Sequence, residues 1–176
     1  MTRLSLLLPL LIVAACSSKA PGADNATATV QAAPTGTVPL VIRSGGKVHR
    51  FSVEAAVTAE QQEKGLMFRN SLPDDGGMVF PMDPPRIASF WMKNTVIPLD
   101  MLFIRTDGSI AMIAANTTPY AREPVSAGIP VSAVLELRGG RAAELGVKEG
   151  DKVSWGCCAV PDAKVDASLA AVRFCP

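Results

Sequence analysis

The aromatic and polar side chains between residues 90 and 100 are the part of the sequence best suited to binding chemistry. Trp91 offers an aromatic wall, and Lys93, Asn94 and Asp100 offer a cation, an amide and a carboxylate. An apolar wall with a few directed polar groups is typical of a small-ligand site. Because Lys93 and Asp100 flank one turn, we also expect an ion pair between them. Alternatively, these groups are structural and satisfy the hydrogen bonds of a strand end.

Cys16 follows a stretch with the three parts of an export signal. Arg3 supplies the positive charge, residues 4–13 supply the apolar core, and Ala14-Ala15 supplies a small-residue cleavage site. The core is about ten residues long, against the roughly 20 that a membrane-spanning helix needs. A cysteine directly after this site can receive diacylglycerol before cleavage. We therefore predict a lipoprotein that is cut before Cys16 and held on a membrane by its diacylglycerol and a further acyl chain such as palmitate.

The residues after Cys16 bear on which membrane the protein would occupy. Ser17 and Ser18 follow the cysteine, and no aspartate stands beside it. By resemblance to lipoprotein sorting in two-membrane bacteria, this favours the outer membrane over the inner one. We expect the protein to face the periplasm, with the cell surface as an alternative.

Three further cysteines lie at the carboxyl-terminal end, namely Cys157, Cys158 and Cys175. An oxidising envelope favours a disulfide from Cys175 to one of the adjacent pair. Such a bond would close a loop of about 18 residues and stabilise the fold by roughly 3 kcal/mol. A strained bond between the two adjacent cysteines is the alternative. With one histidine, His49, and no Cys-x-x-Cys pair, no metal site and no cofactor are expected.

Short apolar runs separated by turn residues dominate the chain from Val38 onward. Thr58-Ala-Glu-Gln61 is a capping box that opens a helix to about Met67, and Gly146 is suited to end a second helix over residues 141–145. The pattern predicts a mainly β fold, a compact sandwich- or barrel-like domain of short, mostly antiparallel strands with one or two short helices. The predicted strands are residues 38–43, 48–53, 77–80, 88–92, 99–104, 110–114, 131–137 and 153–155.

Two of these strands carry further expectations. Alternation along residues 88–92 would bury Phe90 and Met92 and turn Trp91 to the other face. Residues 102–104 are apolar on both faces, which predicts a strand covered on each side.

The chain divides into four predicted parts. Residues 1–15 are the signal peptide, 16–37 the lipidated cysteine and a flexible tether, 38–156 the β-rich domain, and 157–176 a cysteine-containing tail. Removing the signal peptide removes Arg3 and no acidic residue, so 17 basic residues become 16 and match the 16 acidic ones. This balance argues against nucleic acid as a partner.

Five strings occur in an order that resembles a known family. They are Gly65-Leu-Met-Phe-Arg69, Gly77-Met-Val-Phe80, Phe90-Trp-Met-Lys-Asn-Thr95, Ile97-Pro-Leu-Asp100 and Val134-Leu-Glu-Leu137. Over about residues 40–155 the chain is similar to the domain of unknown function 192 family of prokaryotes. The resemblance implies a compact, mostly β, sandwich-like fold and frequent export, often behind a lipoprotein signal. It implies no activity.

The charged members of these strings complete the candidate site. Arg69 and Glu136 join Trp91, Lys93, Asn94 and Asp100 as candidate binding residues, or as a structural cluster fixed by a buried ion pair. The sequence favours a lipid-anchored, non-catalytic binding or accessory domain of the cell envelope, with an unidentified small ligand or envelope protein as its partner. The alternatives are a small hydrolase-type enzyme that uses polar residues near Trp91 and Lys93, and a structural partner of another envelope protein.

Overall fold

The computed structural model describes residues 36–159 and residue 174 of the chain. The signal peptide, Cys16, Cys175 and most of the predicted tether lie outside these residues. Among the described elements, β1 (Thr37–Ser44) and β2 (Lys47–Ala55) coincide with the predicted strands 38–43 and 48–53 and pair as an antiparallel hairpin. Its two-residue turn is Gly45-Gly46, and both residues have positive φ angles, of 53° and 79°. Glycine suits this turn because it adopts positive φ without steric cost.

The first helix, α1 (Ala59–Lys64), begins as the sequence predicts. The Gln61 N–H donates to the Thr58 hydroxyl at 3.2 Å, and the Gln61 carbonyl side-chain oxygen accepts the Thr58 N–H at 2.9 Å. The helix ends about one turn earlier than predicted. Gly65 leaves helical geometry with a φ of 47°, and a Cβ atom at this position would lie 3.3 Å from the Phe80 ring.

The remaining elements complete one mixed sheet with the strand order β5-β4-β6-β3-β2-β1-β7. Only β2 and β3 pair in parallel, so the prediction of a mainly β fold with short, mostly antiparallel strands and two short helices is confirmed. The sheet is not closed. These elements are β3 (Met78–Ile87), β4 (Leu99–Ile104), β5 (Ile110–Thr117), β6 (Pro130–Arg138), α2 (Arg141–Leu145) and β7 (Lys152–Trp155).

Two apolar clusters cover the two faces of the sheet. On β4, Leu102 and Ile104 pack into one cluster, whereas Met101 and Phe103 pack into the other. All six residues of β4 are buried, so the expectation of a strand covered on each side is confirmed. The second cluster matters for the candidate site, because Leu66 just after α1 and the long loop between β3 and β4 pack onto it.

Residues 88–92 do not form the regular strand that the sequence predicts. Phe90 makes a single bridge to Val125, with backbone hydrogen bonds of 2.9 and 2.7 Å, and the chain then turns at Asn94. The expected orientation holds for Met92, which is buried, and for Trp91, which is 53% exposed, whereas Phe90 is only partly buried. A single bridge suffices to place these side chains because the segment packs onto a sheet that is already formed.

Candidate functional site

The loop that carries Trp91 and Lys93 is held by backbone hydrogen bonds on both sides. The Phe68 N–H donates to the Asn94 carbonyl oxygen at 2.8 Å, and the Tyr120 N–H donates to the Thr95 carbonyl oxygen at 3.2 Å. Asn94 has a φ of 54°, a conformation that asparagine tolerates better than most residues. The candidate side chains therefore project from a fixed backbone.

Trp91 and Lys93 form the outer edge of a groove beside α1. The Lys93 ammonium nitrogen lies 5.2 Å from the centroid of the Trp91 ring, within the range of a cation–π contact. The outer part of the groove measures about 330 Å³. Most of its remaining wall is apolar and comes from Met67, Met82, Ile87, Ala88 and Phe90.

The groove continues inward to a small pocket of about 40 Å³. This inner pocket has Trp91 and Lys93 in common with the outer part, and Leu66, Phe80 and Glu136 lie along its inner walls. Its volume corresponds to about one water molecule. A ligand in the outer groove could therefore place one small group in the inner pocket.

Glu136 is the unusual residue of the inner pocket. It lies on β6 between Met78 of β3 and Met101 of β4, its neighbours across the sheet, and it is 4% exposed. Its carboxyl group makes no hydrogen bond or ion pair with any other residue that the structure describes, and its oxygens are not sealed inside the protein but open onto the pocket. Burial raises the pKa of Glu136 to about 8. At neutral pH this side chain is mostly an uncharged acid that can donate a hydrogen bond.

Asn94 and Arg69 lie next to this pocket but outside it. Asn94 lines a neighbouring surface depression with Lys93. Arg69 binds both carboxylate oxygens of Glu54, at 2.5 and 2.7 Å, and this contact raises the pKa of the guanidinium group. Arg69 and Glu54 line a second depression on the other side of Gly65. The guanidinium group is thus already engaged by a carboxylate.

Asp100 has a structural position, and the expected Lys93–Asp100 ion pair is wrong. The fully buried Asp100 carboxylate accepts backbone N–H groups from Asn116 at 2.7 Å, Gly140 at 2.9 Å and Ala142 at 2.7 Å. These three N–H groups satisfy the carboxylate through hydrogen bonds. The exposed Lys93 ammonium instead lies over the Trp91 ring. Three hydrogen bonds from backbone N–H groups stabilise the buried Asp100 carboxylate. An ion pair with Lys93 would in addition require the ammonium group to lose its hydration.

The structure also bears on the cysteine predictions. Cys157 carries a free thiol, and its sulfur lies 3.9 Å from that of Cys158, which excludes a bond between these neighbours. The predicted partner Cys175 lies outside the described residues, so the longer disulfide stays a prediction, with Cys158 as the cysteine to pair.

Residues 36–159 contain no group of three histidine, cysteine, aspartate or glutamate side chains placed to hold a metal ion. In the same range, none of the helices has the length and apolar character required to span a bilayer.

Two residues near the site were missed by sequence reasoning. Phe68 and Tyr120 are 67% and 60% exposed, and their φ angles are 64° and 61°. Positive φ is uncommon for bulky side chains and is often found at functional sites. No local sequence signal identifies them, because their conformation depends on hydrogen bonds to the distant residues Asn94 and Thr95.

A family model for the DUF192 proteins, described as uncharacterized ACR, matches residues 40–155. The chain belongs to this family. Its relatives include a crystallised protein of unknown function from Novosphingobium aromaticivorans, which is 50% identical. The match covers 68% of this chain and 85% of that one, with a TM-score of 0.66.

A second solved member of similar structure comes from Sinorhizobium meliloti and is described as a proposed transcription regulator. It is 39% identical, and the match covers 68% of this chain and 93% of that chain with a TM-score of 0.66. No curated protein matches the chain. The DUF192 fold is therefore established for this chain, while its relatives leave the molecular function open.

Proposed function

We propose that this DUF192 protein is a lipid-anchored, non-catalytic binding domain of the cell envelope, and that a small ligand occupies the groove beside Trp91 and Lys93. Lipid on Cys16 would hold the domain on the periplasmic face of a membrane, with the outer membrane favoured by Ser17 and Ser18. The observation that carries the binding proposal is Glu136, a buried carboxyl group at the inner end of the groove that has no partner among the described residues.

An unpaired carboxyl group in an apolar cluster lowers the stability of a fold. Burying a polar group without a hydrogen bond costs roughly 1–3 kcal/mol in proteins. Met78 and Met101 flank Glu136, so an apolar residue of similar size would suit this position better. A ligand that forms a hydrogen bond with the Glu136 carboxyl group would explain why a residue that destabilises the fold occupies this position.

An enzyme is the second candidate, because a carboxylic acid with a raised pKa is suited to general acid catalysis. A hydrolase of the predicted kind would need a second reactive group in the same pocket. Of the other charged candidates, which are Arg69, Lys93 and Asp100, only Lys93 lines the pocket with Glu136. Arg69 is bound to Glu54 and Asp100 to three backbone N–H groups, so the geometry supports binding better than catalysis.

A structural role beside another envelope protein is the third candidate, and the exposed Phe68 and Tyr120 side chains favour it. The regulator description of the Sinorhizobium relative does not extend to this proposal. The mature chain carries equal numbers of basic and acidic residues, and nucleic-acid binding depends on an excess of positive charge.

The small-ligand proposal can be tested by native mass spectrometry of the mature, detergent-extracted protein. We expect a bound small molecule on the wild type, and its loss in Glu136→Met, which removes the carboxyl group but keeps the volume. The matched control is Glu149→Gln, because Glu149 is exposed and lies outside the groove. Retention of the ligand by Glu136→Met would contradict the proposal. The proposal would also be contradicted if the wild type carried no small molecule but bound a partner protein. Loss of that partner protein in a Phe68→Ser, Tyr120→Ser double variant would then support the structural role.

A further inference from the structure

The outer groove and the inner pocket differ in chemistry. Met67, Met82, Ile87 and Phe90 make most of the outer groove apolar. The inner pocket instead presents the carboxyl group of Glu136. A ligand that fills both spaces needs an apolar body and a small polar end.

The charged groups that line the inner pocket indicate which polar end is complementary. From α1 come Glu63 and Lys64, and from the loop after Phe90 comes Lys93, whereas β3 and β4 place Met78 and Met101 beside Glu136. Within the described part of the chain, two cations and one anion thus line the pocket, and burial is the cause of the raised pKa of Glu136. An electron-rich, negatively charged group fits this surrounding better than a cation does.

We propose that the groove binds a small organic acid with an apolar body, and this inference rests on the ligand site proposed above. The Glu136 side chain donates its O–H to the ligand carboxylate, and the Lys93 ammonium supplies the opposite charge. The apolar body lies against Trp91 and the methionine side chains of the outer groove. Binding involves no covalent step and no net transfer of a proton.

The ionisation of Glu136 gives this proposal a distinctive pH dependence. Burial raises the pKa of Glu136 to about 8. Above that pH the side chain loses its proton, and two carboxylates then face each other in the pocket. Affinity for an organic acid should consequently fall by about tenfold for each pH unit above the pKa. A cationic ligand would show the opposite trend and bind more tightly as Glu136 ionises.

Benzoate and benzylamine are suitable probes because they have similar apolar bodies and opposite charges. Their binding to the mature protein in detergent can be followed through the indole N–H signal of Trp91 in NMR spectra. Trp155 serves as an internal reference, since it is 2% exposed and stacks on Phe174. We expect millimolar benzoate binding that shifts the Trp91 signal and weakens above pH 8.

Two variants separate donation by Glu136 from the mere presence of a pocket. Glu136→Gln keeps a hydrogen-bond donor but cannot ionise, so benzoate should bind it with little dependence on pH. Glu136→Met should lose benzoate, whereas Glu149→Gln should bind it as the wild type does.

Two results would overturn the organic-acid proposal. Benzylamine binding that strengthens towards high pH and disappears in Glu136→Gln would overturn the organic-acid proposal and leave the ligand site intact. Absence of any Trp91 response to benzoate would also overturn it, and the ligand site would then stand or fall with native mass spectrometry.

Discussion

Glu136 combines a cost for folding with an opportunity for binding. Its raised pKa means that the folded protein holds a proton that the unfolded chain, with a pKa near 4.5, releases at neutral pH. The contribution of Glu136 to stability is least unfavourable at low pH, and it worsens as pH rises from about 4.5 to about 8. Within that window the slope approaches about 1.4 kcal/mol per pH unit.

Replacing Glu136 with methionine should therefore stabilise the fold. We expect the free energy of unfolding of Glu136→Met to exceed that of the wild type by roughly 1–3 kcal/mol below about pH 4.5, where the folded and unfolded chains both hold the proton. At neutral pH the proton that the folded wild type retains adds about 3 kcal/mol to this difference. The difference should grow towards pH 8 and shrink below pH 5, as urea unfolding at several pH values would show. A variant less stable than the wild type would indicate that the carboxyl group has a partner in the fold.

Asp100 should behave in the opposite way, because its carboxylate is fully used within the protein. Asp100→Asn replaces one acceptor oxygen with an N–H₂ group that faces backbone donors. We expect a loss of roughly 2–4 kcal/mol in the free energy of unfolding. Benzoate binding by the folded fraction should be unchanged. Loss of binding at full stability would instead place Asp100 in the ligand site.

At the scale of elements, Gly77 shows how the backbone sets the position of Glu136. A Cβ atom at Gly77 would lie 2.4 Å from the carbonyl oxygen of Glu136 and 2.9 Å from a methyl group of Leu137. Gly77→Ala should thus push β3 away from β6. We predict a destabilisation of about 1–3 kcal/mol, measured by thermal unfolding. Gly128→Ala is an informative comparison with no such contact, although its φ of 69° adds some strain of its own.

Local signals in the sequence account well for several elements. The hairpin turn at Gly45-Gly46, the capping box at Thr58 and the end of α2 at Gly146 were all predictable, because each depends on residues adjacent in the chain. The irregular path of residues 88–92 was not. It is fixed by Val125 and Ala121, which lie far away in sequence.

The same distinction applies to the candidate site. The sequence between residues 90 and 95 was sufficient to predict Trp91 and Lys93 as site residues. Glu136 was predicted from the family resemblance. What faces each of them could not be predicted, because it depends on long-range strand pairing. Methionines from two neighbouring strands leave Glu136 unpaired, while backbone N–H groups from β5 and from the start of α2 satisfy Asp100.

For the molecule as a whole, the proposed lipid anchor on Cys16 would determine where the domain works. Cys16→Ala should abolish metabolic labelling with palmitate and release any exported protein from the membrane fraction. Ser17→Ala is the matched control, because it leaves the acceptor thiol in place. Labelling that persists in Cys16→Ala would refute the lipoprotein assignment. The DUF192 domain and its pocket do not depend on that outcome.

Glu136 is a buried acid with no partner in residues 36–159, and we propose that it lies at the inner end of a ligand groove. The most direct measurement is a pH titration of the mature protein labelled with ¹³C at the glutamate carboxyl carbons. The Glu136 signal is identified by its absence in Glu136→Gln. We predict a titration midpoint near pH 8. A midpoint near the ordinary glutamate value of about 4.3 would show that the carboxylate is hydrated or paired, and would contradict the account.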